Sequence, residues 1–184
     1  DYPKERERGY DEPEDLFVPG YFEMPIARGE SIVFTASLDA RDPATLKPLI
    51  ADEIEAHDPR DSFYHTLVNA AHQFRQQLGG LDYIIAGYPW FKPRARDTFI
   101  AMPGLTLAIG ETEQFEKYMD TAALALDDFM GGRPVSVQIY ETEQPDTLLW
   151  AMWCLQQYAK FVGRQQCFSR YGDLIHRMMS FIFE

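Results

Sequence analysis

The sequence predicts a mainly α-helical fold, a stacked array of helical hairpins with a short β segment at its N-terminal end. Three observations predict it. From residue 44 onward, apolar residues recur at helical spacing in successive stretches. The loops between those stretches are short and carry polar and aromatic residues. Ahead of them, residues 32–37 alternate apolar and polar with a period of two. No internal repeat of fixed period is present. An ordinary small helical bundle is the rival fold. The apolar last stretch, 174–184, carries no cap and no polar tail, and it favours an array cut part-way.

Each element has a local reason. Residues 1–20 hold seven acids, three bases, Pro3, Pro13 and Pro19, and read as an irregular solvated lead-in. Ile32, Phe34 and Ala36 alternate with Val33, Thr35 and Ser37, which predicts a strand with one buried face. The boundary to the helical part falls at Asp39-Ala40-Arg41-Asp42-Pro43. Leu46, Leu49, Ile50 and Ile54 mark a short helix over 44–57. A stripe of Phe63, Leu67, Ala70, Ala71, Phe74 and Leu78 predicts a helix over 61–78, stopped by Gly79-Gly80. Residues 98–109 read as a helix kinked or split at Pro103-Gly104. Phe115, Met119, Ala122, Leu126 and Phe129 predict a helix over 112–130 with Thr112 as its N-cap. Val135, Val137 and Ile139 suit a short strand or extended loop. Leu148, Met152, Leu155, Ala159 and Val162 predict a helix over 145–162 with Pro145 in its first turn. The final helix runs from about residue 168.

Composition narrows the class. The 184 residues carry a net charge of −12 with 46% hydrophobic and 14% aromatic residues, enough for a core. The acidic balance argues against general nucleic-acid binding, which needs a basic face. No apolar run approaches the roughly 18 residues of a membrane span. Cys154 and Cys167 make no disulfide framework and fit a reducing, cytoplasmic compartment. The chain opens on Asp1 rather than Met and ends inside an apolar helix, so the expectation is a piece of a longer polypeptide.

Familiar catalytic motifs are absent: GxGxxG, GxxxxGK[ST], HExxH, GxSxG and CxxC do not occur. Asp61, His65 and His72 share helical spacing, but three ligands on one helix with no fourth partner make a poor metal site, and none is expected. Cys154 sits in an apolar stretch and reads as a buried small hydrophobe. Trp150, Trp153 and Tyr158 at helical spacing read as core. The loop 86–98 is different. It places Tyr88, Trp90 and Phe91 ahead of Lys92, Arg94 and Arg96, then a carboxylate, Asp97, at a helix start. Its local charge is +2. Sugars are recognised by this combination: aromatic faces pack on ring C–H groups, and charged groups of fixed geometry hold vicinal hydroxyls. Alternatively, Asp97 caps the next helix, Arg96 pairs with it and Trp90 is core.

Residues 82–109, DYIIAGYPWFKPRARDTFIAMPGLTLAI, closely resemble the amylo-α-1,6-glucosidase domain of glycogen debranching enzymes. The family pattern is Ala-Gly-Tyr-Pro-Trp-Phe, two residues, Trp-Gly-Arg-Asp-Thr-Phe-Ile, then Pro-Gly-Leu. Flanking stretches also look like it: 5–15 with Arg8-Gly9 and Glu14-Asp15, the stretch 61–78, and Asp146-Thr147-Leu148-Leu149-Trp150. The resemblance implies a toroid of six helical hairpins, (α/α)6, preceded by a β-sandwich domain. Residues 1–39 would be the end of the β domain and a linker, and residues 40–184 the N-terminal half of the toroid. It implies hydrolysis of α-1,6-linked glucose at the branch points of glycogen or a related α-glucan, with no cofactor. Arg96 and Asp97 would hold the terminal glucose, Trp90 and Phe91 would shape the pocket, and Asp146 would bring a second acidic group to the barrel mouth. The general acid and base would both lie downstream, in the remainder of the parent chain, leaving this chain inactive alone. A half-toroid would expose apolar helix faces and self-associate. One departure stands out: the family's Trp-Gly before Arg-Asp is Arg94-Ala95 here, which removes an aromatic wall. That departure favours the alternative, a non-catalytic helical module binding α-glucan or a partner protein.

Overall fold

The structure is a computed structural model that describes residues 2–11, 13, 15, 17–88 and 91–183. The chain divides into two compact units, 1–53 and 54–184.

The first unit holds little regular structure. Helix α1 (Pro3–Glu7) is one turn, started by the proline and tied by the exposed pairs Lys4–Glu7 (3.1 Å) and Arg8–Glu5 (3.2 Å). Asp42 caps a 3-10 turn (Pro43–Thr45), its carboxylate accepting from the Ala44 amide at 2.9 Å. Helix α2 (Leu46–Glu55) follows and crosses the boundary between the units. The strand expected over 32–37 does not form: these residues make no ladder, and Phe34 stays exposed beside Phe22, ring centroids 5.0 Å apart. Alternation is a necessary sign of a half-buried strand, but a strand also needs a hydrogen-bonding neighbour, and the described residues of this unit supply none.

In the second unit, Ser62 caps helix α3 (Phe63–His72), accepting from the His65 amide at 3.1 Å. This helix ends six residues before the expected limit. Residues 75–84 instead form an antiparallel hairpin, β1 (Arg75–Leu78) and β2 (Leu81–Ile84), with Leu78 opposite Leu81. Gly79 and Gly80 turn it at φ of 60° and 79°, the paired left-handed conformation that suits a two-residue hairpin loop. Among the described residues the β segment therefore lies here rather than at the N-terminal end.

Four helices build the core: α4 (Ala95–Leu105), α5 (Thr112–Met130), α6 (Thr147–Val162) and α7 (Arg164–Phe183). Helix α4 starts three residues earlier than expected. It runs through Pro103 unbroken to Leu105, and a 3-10 turn (Leu107–Ile109) follows. Glu111, not Thr112, is the N-cap residue of α5. Helix α7 begins at Arg164, four residues early, because Gly163 at φ 91° ends α6 and lets the chain reverse at once.

Cross-helix pairs set the directions. Arg170 and Arg177 of α7 pair with Asp120 and Asp127 of α5 at 2.6 and 2.9 Å, one heptad apart on both helices, so α5 and α7 run parallel. Arg96 meets Asp146 and Met102 meets Cys154, so α4 and α6 also run parallel. Phe115 at the start of α5 meets Tyr158 near the end of α6, so these two run antiparallel and consecutive helices alternate in direction, as hairpins stacked side by side do. The core between them is fully closed at Met102, Phe115, Met119, Ala122, Ala151, Cys154 and Tyr158. Small residues at 122 and 151 let the helices approach closely. The fold is mainly helical, as expected.

Candidate functional site

The site is assembled where α4 and α6 both begin. Pro93 and the extended N-cap residue Arg94 (φ −120°, ψ 138°) start α4. Arg94 pairs in a parallel bridge with Tyr140: the Tyr140 amide donates to the Pro93 carbonyl at 3.0 Å, and the Ala95 amide donates to the Tyr140 carbonyl at 2.9 Å. This tether fixes the first turn of α4 against the segment that leads into α6.

Arg96 and Asp97 project from that first turn, both exposed. Arg96 does not pair with its neighbour. Its Nη2 donates to Oδ1 of Asp146, the N-cap residue of α6, at 2.9 Å. The other Asp146 oxygen accepts from Trp150 Nε1 at 3.1 Å. Desolvation pushes the Asp146 carboxyl up, but the bonds from Arg96 and Trp150 and the Arg96 charge outweigh it and hold the group below its ordinary value. Asp97 caps nothing; it sits inside the first turn, where a negative charge favours the helix dipole. Among the described residues its carboxylate makes no ion pair, and it follows Arg96 directly in the first turn of α4. Phe91 bridges to Gly87, its ring about half exposed. Trp90, also expected at the site, lies outside the described residues, as does Glu14.

The structure thus joins Arg96 with Asp146, fifty positions away, and keeps Asp97 and Phe91 nearby on the same segment. Sequence reasoning missed Trp150 as Asp146's second donor. The i, i+4 spacing on one helix face was the available signal. It also missed Glu141, which pairs with Arg94 at 3.1 Å.

Other candidates take structural roles. Asp61 and His65 pair at 2.6 Å on the surface, and that hydrogen bond keeps the Asp61 carboxyl low. His72 turns instead to Glu111 at 3.0 Å, a carboxylate that Arg75 also reaches. Among the described residues no group of three His, Cys, Asp or Glu could hold a metal ion. Cys154 is fully buried 3.8 Å from the Met102 sulfur, and burial pushes its thiol far up; Cys167 is also buried and raised. Neither is a nucleophile. No described helix is long and apolar enough to cross a membrane.

A mainly helical unit with an Arg–Asp pair and a neighbouring acid at the mouths of two parallel helices is the class of scaffold on which the comparisons bear. Residues 69–184 match the family model described as amylo-alpha-1,6-glucosidase, and residues 1–33 match the glycogen debranching enzyme N terminal. The first match spans more than half of the sequence, and the chain belongs to the amylo-α-1,6-glucosidase family of glycogen debranching enzymes. No curated protein and no solved structure matches the chain.

Proposed function

We propose that this chain is part of a glycoside hydrolase acting on α-1,6-linked glucose at α-glucan branch points, and that it contributes part of the glucose-binding subsite. The observation that carries this reading is the Arg96–Asp146 pair at the paired starts of α4 and α6, with Asp97 beside it. Arg96 supplies a planar fork of donors, and the two carboxylates supply acceptors; a sugar's vicinal hydroxyls need both. The alternating helix directions support residues 40–184 as the N-terminal half of an α/α toroid. The match of residues 1–33 to the N-terminal domain supports residues 1–39 as the end of a preceding domain. In this reading the acid and base of the reaction are supplied by the rest of the parent chain.

Titration of the chain with glucose, followed by backbone amide chemical shifts, tests the subsite. The expected result is saturable shifts confined to residues around 96–97 and 146–150. Shifts spread evenly over the chain, or none at millimolar glucose, would sink it.

The same reading predicts self-association. Leu149, Phe161 and Phe168 of α6 and α7 are 57%, 61% and 62% exposed, on faces that further hairpins would cover. Sedimentation of the chain by itself should show dimers or larger species. A monodisperse monomer at tens of micromolar would count against the half-toroid.

Arg94-Ala95 supports a second reading, a non-catalytic α-glucan-binding module. The parent polypeptide discriminates: a pair of acids placed across a glucose from Arg96 belongs to the enzyme and not to the module.

A further inference from the structure

Residues 131–140 form an irregular strap from the end of α5 to the site, and Asp128 fastens its near half. Asp128 lies in the last turn of α5, where the helix dipole disfavours a carboxylate. Its side chain is only 14% exposed, and three donors close on it. One oxygen accepts from the Ser136 amide at 2.9 Å and from the Ser136 hydroxyl at 2.5 Å. The other accepts from Arg133 Nε at 3.0 Å. These bonds, the Ser136 hydroxyl first, hold the Asp128 carboxyl below its ordinary value. The Asp128 carbonyl takes the Arg133 amide as well, at 2.8 Å. Gly131 makes this fold-back possible, since a Cβ there would stand 2.5 Å from Arg133 Nη1.

From Ser136 the strap leads straight to the site. Val135 and Val137 pack against the core, and Ile139 is buried in it. The Gln138 amide donates to the Tyr83 hydroxyl of β2 at 3.4 Å. Tyr140 then makes the two-bond bridge to Pro93 and Ala95 that fixes the start of α4. Glu141, at φ 59°, turns the chain into the loop that ends at Asp146. A side chain is held in the left-handed region only when its surroundings over-determine it. The strap before Glu141 supplies that constraint, together with the Thr147 hydroxyl, which donates to the Glu141 carbonyl at 3.5 Å. Arg96 and Asp146 come from different helices, so their meeting depends on how the strap delivers the start of α6 to the start of α4.

We propose that Asp128 is a positioning residue: by fastening Ser136 it sets the strap, and through the Tyr140 bridge it sets the place of Asp146 opposite Arg96. Its relevance to a sugar rests on the reading that Arg96 and Asp146 hold the terminal glucose. Asp128 acts only through the chain. Its pairing with Arg133 does not account for it, because Arg133 is 59% exposed and such a pair contributes little. The two bonds to Ser136 do, because a charged acceptor on a backbone amide fixes the direction of the chain.

Trp150 reports the outcome without any ligand, since its Nε1–H bonds to Asp146. In proton–nitrogen spectra of the chain, Asp128→Ala should move the Trp150 indole signal upfield. It should also move the amide signals of residues 93–96 and 140–146. Asp128→Asn keeps an oxygen that can accept both Ser136 donors, so its signals should stay near those of the unsubstituted chain. Ser136→Ala removes only the hydroxyl bond at an exposed position and should move the same signals by less. It decides the matter if Asp128→Ala does not fold. Asp127→Asn weakens the neighbouring bonds to Arg177 without touching the strap, and should leave these signals in place. Glucose affinity should fall about tenfold in Asp128→Ala and be retained in Asp128→Asn. An unmoved indole signal in the folded variants overturns the proposal. So does an equal response in Asp127→Asn, which would make Asp128 a prop of the helix end alone. If the indole signal responds as expected while the unsubstituted chain binds no glucose, Asp128 positions Asp146 and the sugar reading falls. If glucose binds and the indole signal does not respond, the sugar reading stands and the positioning role falls.

Discussion

If Arg96 holds a terminal glucose as proposed, Arg96→Ala should remove most of that affinity while leaving the fold in place. The guanidinium is about half exposed, and its partner Asp146 is also open to solvent. An exposed pair of this kind adds little to folding stability, because water and counter-ions screen it and two side chains must be ordered to form it. Its value is positional. Hydrogen bonds from a charged donor to a ligand are worth more than neutral ones, so their loss should weaken binding between about tenfold and a hundredfold. Arg96→Lys keeps the charge without the planar fork and should fall between the two. Calorimetric titration with glucose, beside thermal melting of the same variants, separates the possibilities. A melting point that collapses with binding would make the pair a strut between α4 and α6 instead.

The same pair gives the site a pH signature with a definite sign. The Asp146 carboxyl titrates below its ordinary value of 3.8 in the folded chain. A depressed carboxylate contributes its full interaction above the unfolded value and loses it as pH falls through the folded one. Glucose affinity should therefore stay flat from neutrality down to about pH 4, and fall only below 3.8. A decline that begins near pH 6 would point to a histidine in place of Asp146.

Which parts of this were legible beforehand follows from where the information lies. The helices over 112–130 and 145–162 were placed within two residues, because each buries one continuous stripe and the 3.6 period is written into the sequence. The stretch 61–78 misled, because Phe74 and Leu78 satisfy a helical stripe while lying in the turn beyond α3 and in a strand. Gly79-Gly80 was the clue to the hairpin. As a helix stop one glycine would suffice, whereas a two-residue loop of this kind needs left-handed backbone twice. The partner of Arg96 was hidden for a different reason. Adjacent Asp97 offered a local pairing, but neighbours on a helix point in different directions, and the real acceptor arrives from another helix. Glu141 carried no signal at all, since nothing about a glutamate announces a left-handed conformation that its neighbours impose.

The largest effect on stability is expected from Phe115→Ala. Phe115 is wholly buried at the start of α5, and its ring stacks on Tyr158 of α6 with centroids 4.8 Å apart and planes 6° from parallel. Tyr158 in turn meets Tyr171 of α7 edge-on at 5.6 Å and donates its hydroxyl to Glu116. One ring column therefore joins three helices, and removing its first member opens a cavity that the other rings, held by polar anchors, cannot relax to fill. Truncating a buried phenylalanine costs about 3–5 kcal/mol. Set against a typical domain stability of about 5–15 kcal/mol, that is a large share. The melting temperature should drop by roughly 10 °C or more. Phe115→Leu keeps much of the volume and loses the stacking, so it should cost noticeably less. Chemical denaturation of both variants measures the difference. If Phe115→Ala costs under about 1 kcal/mol, less than an ordinary core truncation, the three-helix column does not carry the stability of this unit.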